Sequence, residues 1–184
     1  MRKMLARGAV TAAIVSAGMV AAAGTAVAAP SDKLQTFGTG DVTVSQDGTV
    51  NIVNDAGEYG GVYVKSKSNS GKSLSQADFS FTNNGGDVAG GAPRFSIPID
   101  TDNNGKTDNG YAFIDVAGCG GATGDNTVVS TDNANCQVNF NGVSYANWDA
   151  FAAANPTYRI DPGSIPFVIA DVQGSYSVTD ISLR

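Results

Sequence analysis

Two hydrophobic patterns divide the chain. Gly8 to Ala23 form a nearly unbroken run of Ala, Val, Ile, Met and Gly behind a basic start of Arg2, Lys3 and Arg7. From about residue 41 the apolar positions fall into short alternating stretches, separated by clusters of Gly, Asn, Asp and Ser. Alternation with period two puts successive side chains on opposite faces of a strand. Val42 and Val44 alternate in Asp41–Ser45, and a second stretch, Thr49–Val53, follows the hairpin signal Asp47-Gly48. Gly61–Lys65 carries Val62 and Val64 on one face and Tyr63 and Lys65 on the other. Phe79 and Phe81 share a face in Asp78–Thr82, as do Phe95, Ile97 and Ile99 in Arg94–Asp100. Gly110–Val116 is apolar on both faces, the mark of a central strand.

Later in the chain, Val138 and Phe140 alternate up to Asn141-Gly142, and Val143 and Tyr145 alternate away from it. Asn-Gly supplies the two positive-φ positions of a two-residue hairpin turn, so Cys136–Tyr145 reads as a hairpin. Phe167–Ala170 and Ser175–Leu183 are the last strands. Val178 and Ile181 are three apart, which calls for a bulge at Thr179-Asp180. One helix is expected: Asn147 caps it, Trp148 and Phe151 share a face, Ala152–Ala154 favour it, and Asn155-Pro156 ends it. Pro30–Gly40 reads as a loosely held start, and Lys65–Ser75 and Asn83–Ala92 as loops. About ten strands and one short helix predict an all-β fold, an antiparallel β-sandwich of jelly-roll-like type or a barrel.

The leading apolar run is short and rich in Ala, Gly and Ser, which suits an export signal better than a spanning helix. Ala26-Val27-Ala28 offers small residues before a cut after Ala28, so residues 1–28 are expected to be removed and 29–184 to form one domain. No Cys follows the run to carry a lipid, and Arg2-Lys3 is not a twin-arginine pair. The expected product is a secreted, extracellular monomer without membrane insertion. Losing Arg2, Lys3 and Arg7 takes the formal charge from −6 to −9. Such an acidic surface argues against nucleic acid or anionic lipid as a partner. Cys119 and Cys136, the only cysteines, are expected to pair in an exported chain.

Glu58 is the only glutamate among 17 acids, and the rest are Asp, a residue of turns and of calcium loops. There is no His, which removes Ser-His-Asp and Cys-His catalysis and the commonest zinc ligand. The strongest local signal is Asp100-Thr101-Asp102-Asn103-Asn104-Gly105-Lys106-Thr107-Asp108. It sets Asp100, Asp102, Asn104 and Asp108 at positions 1, 3, 5 and 9 of a calcium loop, with Gly105 at the sharp turn and the Lys106 carbonyl at position 7. Tyr111 stands at position 12 where a bidentate acid belongs, so a further carboxylate or water is needed. The bland alternative is a solvated hairpin loop. Loops of dockerin and thrombospondin-repeat type resemble these nine residues.

Tyr59, Tyr63 and Lys65 form a second candidate site, in which exposed tyrosines stack on sugar rings. The alternative is that these tyrosines only cover a sheet edge. Trp148 is expected to anchor the helix. Asp100, Asp102, Asp108 and Asp115 could in principle supply a glycosidase pair, yet nothing in their spacing separates an acid from a base.

Taken in order, the leader, Gly-Gly-Ala-Pro-Arg-Phe at 90–95, the Asp loop, the cysteine pair, Asn-Trp-Asp-Ala-Phe at 147–151 and the terminal Ser-Val-Thr-Asp-Ile-Ser-Leu resemble small secreted bacterial β-sandwich proteins. These include jelly-roll carbohydrate-binding modules and lectin-like domains. The resemblance implies a non-catalytic binding domain for an extracellular or cell-wall glycan, stabilised by calcium. The alternatives are an extracellular protein-binding or surface-structural domain and, third, an Asp-dependent glycosidase or lyase.

Overall fold

The computed structural model describes residues 33–184 apart from residues 67, 107 and 109; the export signal and its cut after Ala28 lie outside the described residues. In chain order the elements are β1 (Leu34–Gly38), β2 (Asp41–Val44), β3 (Val50–Asn54), β4 (Gly60–Val64), β5 (Phe79–Asn83), β6 (Arg94–Asp100) and β7 (Gly110–Asp115). They continue with β8 (Val128–Ser130), β9 (Val138–Phe140), β10 (Val143–Tyr145), α1 (Trp148–Ala154), β11 (Arg159–Ile160), β12 (Phe167–Ala170) and β13 (Gly174–Leu183). The larger sheet runs β1-β4-β12-β6-β7-β9-β10, with β11 added alongside the end of β6. The smaller sheet runs β2-β3-β13-β5-β8. Every pairing is antiparallel, so the architecture is the antiparallel sandwich that the alternation predicts.

The alternation sorts side chains as the strands require. Val50, Ile52, Phe79, Phe81, Tyr176 and Val178 turn inward from the smaller sheet; Val62, Val64, Phe95, Ile97, Ile114 and Val168 do so from the larger. Phe95 meets Phe79 at 5.4 Å and Phe81 at 6.0 Å, edge-on or tilted, as ring quadrupoles prefer. Asn141 and Gly142 take φ of 48° and 79° in the β9–β10 hairpin. Asp180 takes φ 53° where the β13–β5 register shifts between Thr179 and Ser182, so the bulge lies where the spacing of Val178 and Ile181 demands it.

The helix forms as its cap and stripe predict. Asn147 Oδ1 accepts the Ala150 N–H at 2.9 Å. Trp148 is buried and its Nε1 donates to the Leu74 carbonyl at 2.7 Å, while Phe151 packs on Phe140 and Tyr145. Cys119, in a 3₁₀ turn after β7, and Cys136, just before β9, form a disulfide. Between them the chain leaves the larger sheet, adds β8 to the smaller one and returns, so the disulfide closes the base of that excursion. Its sequence separation of 17 corresponds to about 3 kcal/mol of loop-closure entropy.

Three elements differ from expectation. The start is not loose: β1 pairs with β4 over its whole length, Leu34 facing in and Phe37 facing out. Those residues are three apart, so no alternation announces the strand. β8 and β11, of three and two residues, are too short to carry a period. No helix among the described residues is long and apolar enough to cross a membrane.

Replacing Asn147 with Ala removes the cap bond while leaving Trp148 and Phe151 packed. We predict a loss of about 1 kcal/mol, read in thermal unfolding as a fall in Tm of roughly 2–4 °C. An unchanged Tm would mean that packing alone holds α1.

Candidate functional site

The outer face of the larger sheet carries more aromatic surface than a solvated face needs. In register across it stand Gln35 on β1, Tyr63 on β4, Phe167 on β12, Ser96 on β6 and Phe113 on β7. Tyr63 lies 4.4 Å from Phe37 and 5.8 Å from Phe167, and Phe167 lies 5.3 Å from Tyr111 between ring centroids. All of these rings are half-buried. They are set close by what lies under them. Gly61 has no side chain, and a Cβ there would strike both the Phe37 ring and the Val168 carbonyl. On β6, Ser96 is wholly buried beneath the rings and its hydroxyl has no hydrogen-bond partner. Arg94 borders the face, its guanidinium 5.2 Å from the Phe113 ring centroid and bidentate to Asp171 at 2.6 and 2.7 Å.

Beyond Tyr63 and Phe167 the face runs into a cleft of about 350 Å³, lined by Lys65, Ser66, Ser70, Pro162, Gly163, Ser164 and Ile165. Lys65 follows Tyr63 by two residues and Ile165 precedes Phe167 by two, so rings and cleft are continuous. The structure thus brings Tyr63 and Lys65 together. Tyr59 is separate: 43% exposed just before β4, its carbonyl accepts the N–H groups of Thr39 and Gly40, and its ring makes none of the contacts of the cluster. Phe37, Phe167, Tyr111 and Phe113 were not among the expected site residues. The alternation that placed Tyr111 and Phe113 on one face was legible, but only the sheet order shows that this face is the one carrying Tyr63.

The Asp loop joins β6 to β7. Asp100 is 1% exposed and accepts the Asn103 N–H at 2.7 Å and the Gly105 N–H at 3.0 Å. Asn103 and Gly105 reach these bonds with φ of 58° and 74°. Asp102 accepts the Asn104 N–H, Asn104 Oδ1 accepts the Lys106 N–H at 2.7 Å, and Asp108 accepts the Thr101 N–H at 2.6 Å. One carboxylate oxygen each from Asp100, Asp102 and Asp108 lies within 4.8 Å of the others. Ligands on opposite sides of a calcium ion stand about 4.6–5.2 Å apart, so the spacing fits that ion. The extra carboxylate the loop calls for is not in this group. Asp161, just after β11, touches the loop instead by accepting the Asp108 N–H at 3.1 Å. Asp115 closes the far end of β7, about 17 Å along the strand, where it accepts the Gly118 N–H.

A further group of acids lies on the outer face of the smaller sheet, where Asp78, Asp132, Asp180 and Arg184 line a cleft of about 330 Å³ with Ser80 and Thr82. Residues so far apart in the chain left no local signal. Burial, and then the Asp132 charge, push the Asp78 carboxyl above its usual value of 3.8, against the opposing pull of Arg184 and Lys72.

Fold and faces together define an all-β sandwich with a ring-covered sheet, a polar cleft at its edge and an acidic loop. The chain matches no known protein family, and neither a characterised protein nor a solved structure shows significant similarity to it.

Asp78 offers a test of its environment. A carboxyl raised in the folded state favours folding below its unfolded value of about 3.8, and that contribution is lost as pH rises through the higher folded value. At neutral pH its charge is therefore a cost. Asp78→Asn should raise Tm at pH 7, with the gain vanishing near pH 3 where both side chains are neutral. An equal gain at both pH values would refute the electrostatic cause.

Proposed function

We propose that the protein is an exported, non-catalytic carbohydrate-binding domain that receives an extracellular or cell-wall glycan on the outer face of its larger sheet. The observation that carries this proposal is the continuity of the rings of Phe37, Tyr63, Phe167 and Tyr111 with a cleft lined by Ser66, Ser70, Ser164 and Lys65. Apolar sugar faces stack on rings, and hydroxyls pair with hydroxyls and ammonium groups at the cleft. The disulfide and the export signal read at residues 1–28 support placement outside the cytoplasm. Calcium in the Asp100–Asp108 loop completes the proposal. Asp100, Asp102, Asn104 and Asp108 would supply side-chain oxygens and Lys106 its carbonyl. The ion would neutralise three neighbouring carboxylates at the end of β6 and the start of β7, the two strands that display Ser96, Tyr111 and Phe113.

Two measurements test this. In pull-down against a panel of soluble and insoluble polysaccharides, the protein should bind at least one, and Tyr63→Ala should weaken that binding about tenfold, the effect of losing about 1.4 kcal/mol. Circular dichroism checks that the variant is folded. A folded wild type that binds no polysaccharide sinks the proposal and leaves the ring face to a protein partner. Separately, calcium at a hundredfold excess over its Kd should stabilise the fold by about 2.7 kcal/mol, and Asp102→Ala should abolish the gain. Superimposable melting curves in calcium and in chelator would remove the metal and leave an ordinary turn.

A further inference from the structure

We infer that the glycan is anionic, a carboxylated or sulfated sugar whose charge sits against Lys65, which lines the cleft, and Lys33, whose backbone is bonded to it. This rests on the glycan-binding face proposed above. Acids outnumber bases in the chain by 17 to 11, and the excess grows once the basic leader is gone. Yet the cleft is lined by one lysine, three serines, Pro162, Gly163 and Ile165, without a carboxylate. The Lys65 N–H donates to the Lys33 carbonyl at 2.8 Å, extending the β1–β4 ladder one step beyond Leu34 and Val64. That bond sets two exposed lysines side by side, one just before β1 and one just after β4. Like charges in that position destabilise a sheet, and an anion bound between them removes the repulsion.

The remaining cations outside the Asp loop are differently engaged among the described residues. Arg94 is held by Asp171, Arg184 stands 3.9 Å from Asp78, and the Lys72 amine donates to Asn69 and to the Arg184 carbonyl. Arg159 donates to the carbonyls of Pro156 and Tyr158. No hydrogen bond or ion pair among the described residues engages the amines of Lys33 and Lys65. Among the described residues, Asp161 is the acid of the small recess that shares Ser66, Ser70 and Ser164 with the cleft, and it is 1% exposed. Its oxygens accept the N–H groups of Gly163 and Asp108 and the Ser164 hydroxyl, so its carboxylate is turned toward the cleft wall and the Asp loop. Tyr63 and Lys65 are two strand positions apart, about 7 Å, so a ring stacked on Tyr63 can direct a charged substituent at the amine.

Dextran sulfate and unmodified dextran form a matched pair differing in charge, and polygalacturonate supplies carboxylates in place of sulfates. The mature protein should bind dextran sulfate or polygalacturonate at least tenfold more tightly than dextran. Raising salt from about 0.05 to about 0.5 M should weaken that binding about tenfold or more. Lys65→Gln should cost about tenfold, the Lys33→Gln, Lys65→Gln pair more, and Lys65→Arg little, because it keeps the charge. These surface changes leave the core alone, so Tm serves as the folding control. If neutral polysaccharides bind as tightly as acidic ones, or the double variant binds acidic polymers as wild type does, the inference fails while the glycan face stands. If neither acidic nor neutral polymers bind, both fail together.

Discussion

β6 is buried on both faces, and the two layers of this molecule meet through it. Phe95, Ile97 and Ile99 point into the sandwich, where Phe95 locks against Phe79 and Phe81. Ser96, Pro98 and Asp100 point the other way and are nonetheless covered. A strand buried on both sides needs neighbours along both edges, and β6 has β7 on one and β12 followed by β11 on the other. Pro98 falls where β12 has ended and β11 has not begun, and its carbonyl still accepts the Asp161 N–H at 3.0 Å. The missing proline N–H therefore falls between the pairings of β12 and β11, where neither strand calls for it.

That constraint joins the two candidate sites. The rings over Ser96 and Pro98 have a structural task, because without them an inner strand would lie open to water. Their outer surfaces remain half exposed and available to a ligand. At the end of the same strand, Asp100 begins the acidic loop, and Asp161 reaches from that loop to the cleft wall through Asp108 on one side and Gly163 on the other. Loop, cleft and ring face are thus three parts of one side of the molecule.

Much of the fold was legible because burial on one face writes a period-two signal, clear in Val62–Val64, Phe79–Phe81 and Phe95–Ile99. Turns were legible where backbone chemistry is strict, as at Asn141-Gly142 and Asp180. β1 was not, since Leu34 and Phe37 serve opposite faces and blur the period. The site was partly legible. The Asp loop is local in sequence, and Tyr63 and Lys65 share one strand. Phe167, Phe37 and Tyr111 come from three other strands, and their meeting depends on sheet order, which no local pattern encodes. Asp78 and Asp132 were hidden for the same reason.

β12 and β13 are the last strands in the chain, yet each lies inside its sheet: β12 between β4 and β6, β13 between β3 and β5. Until they arrive, each sheet is two separate ribbons with nothing to zip them, and the long loops between the ribbons must be closed at an entropic cost. A chain emerging amino end first therefore has no route to an early, compact sandwich. This order of assembly is a built-in delay: the ribbons formed by the earlier strands stay unjoined until the residues of β12 and β13 are free to enter between them.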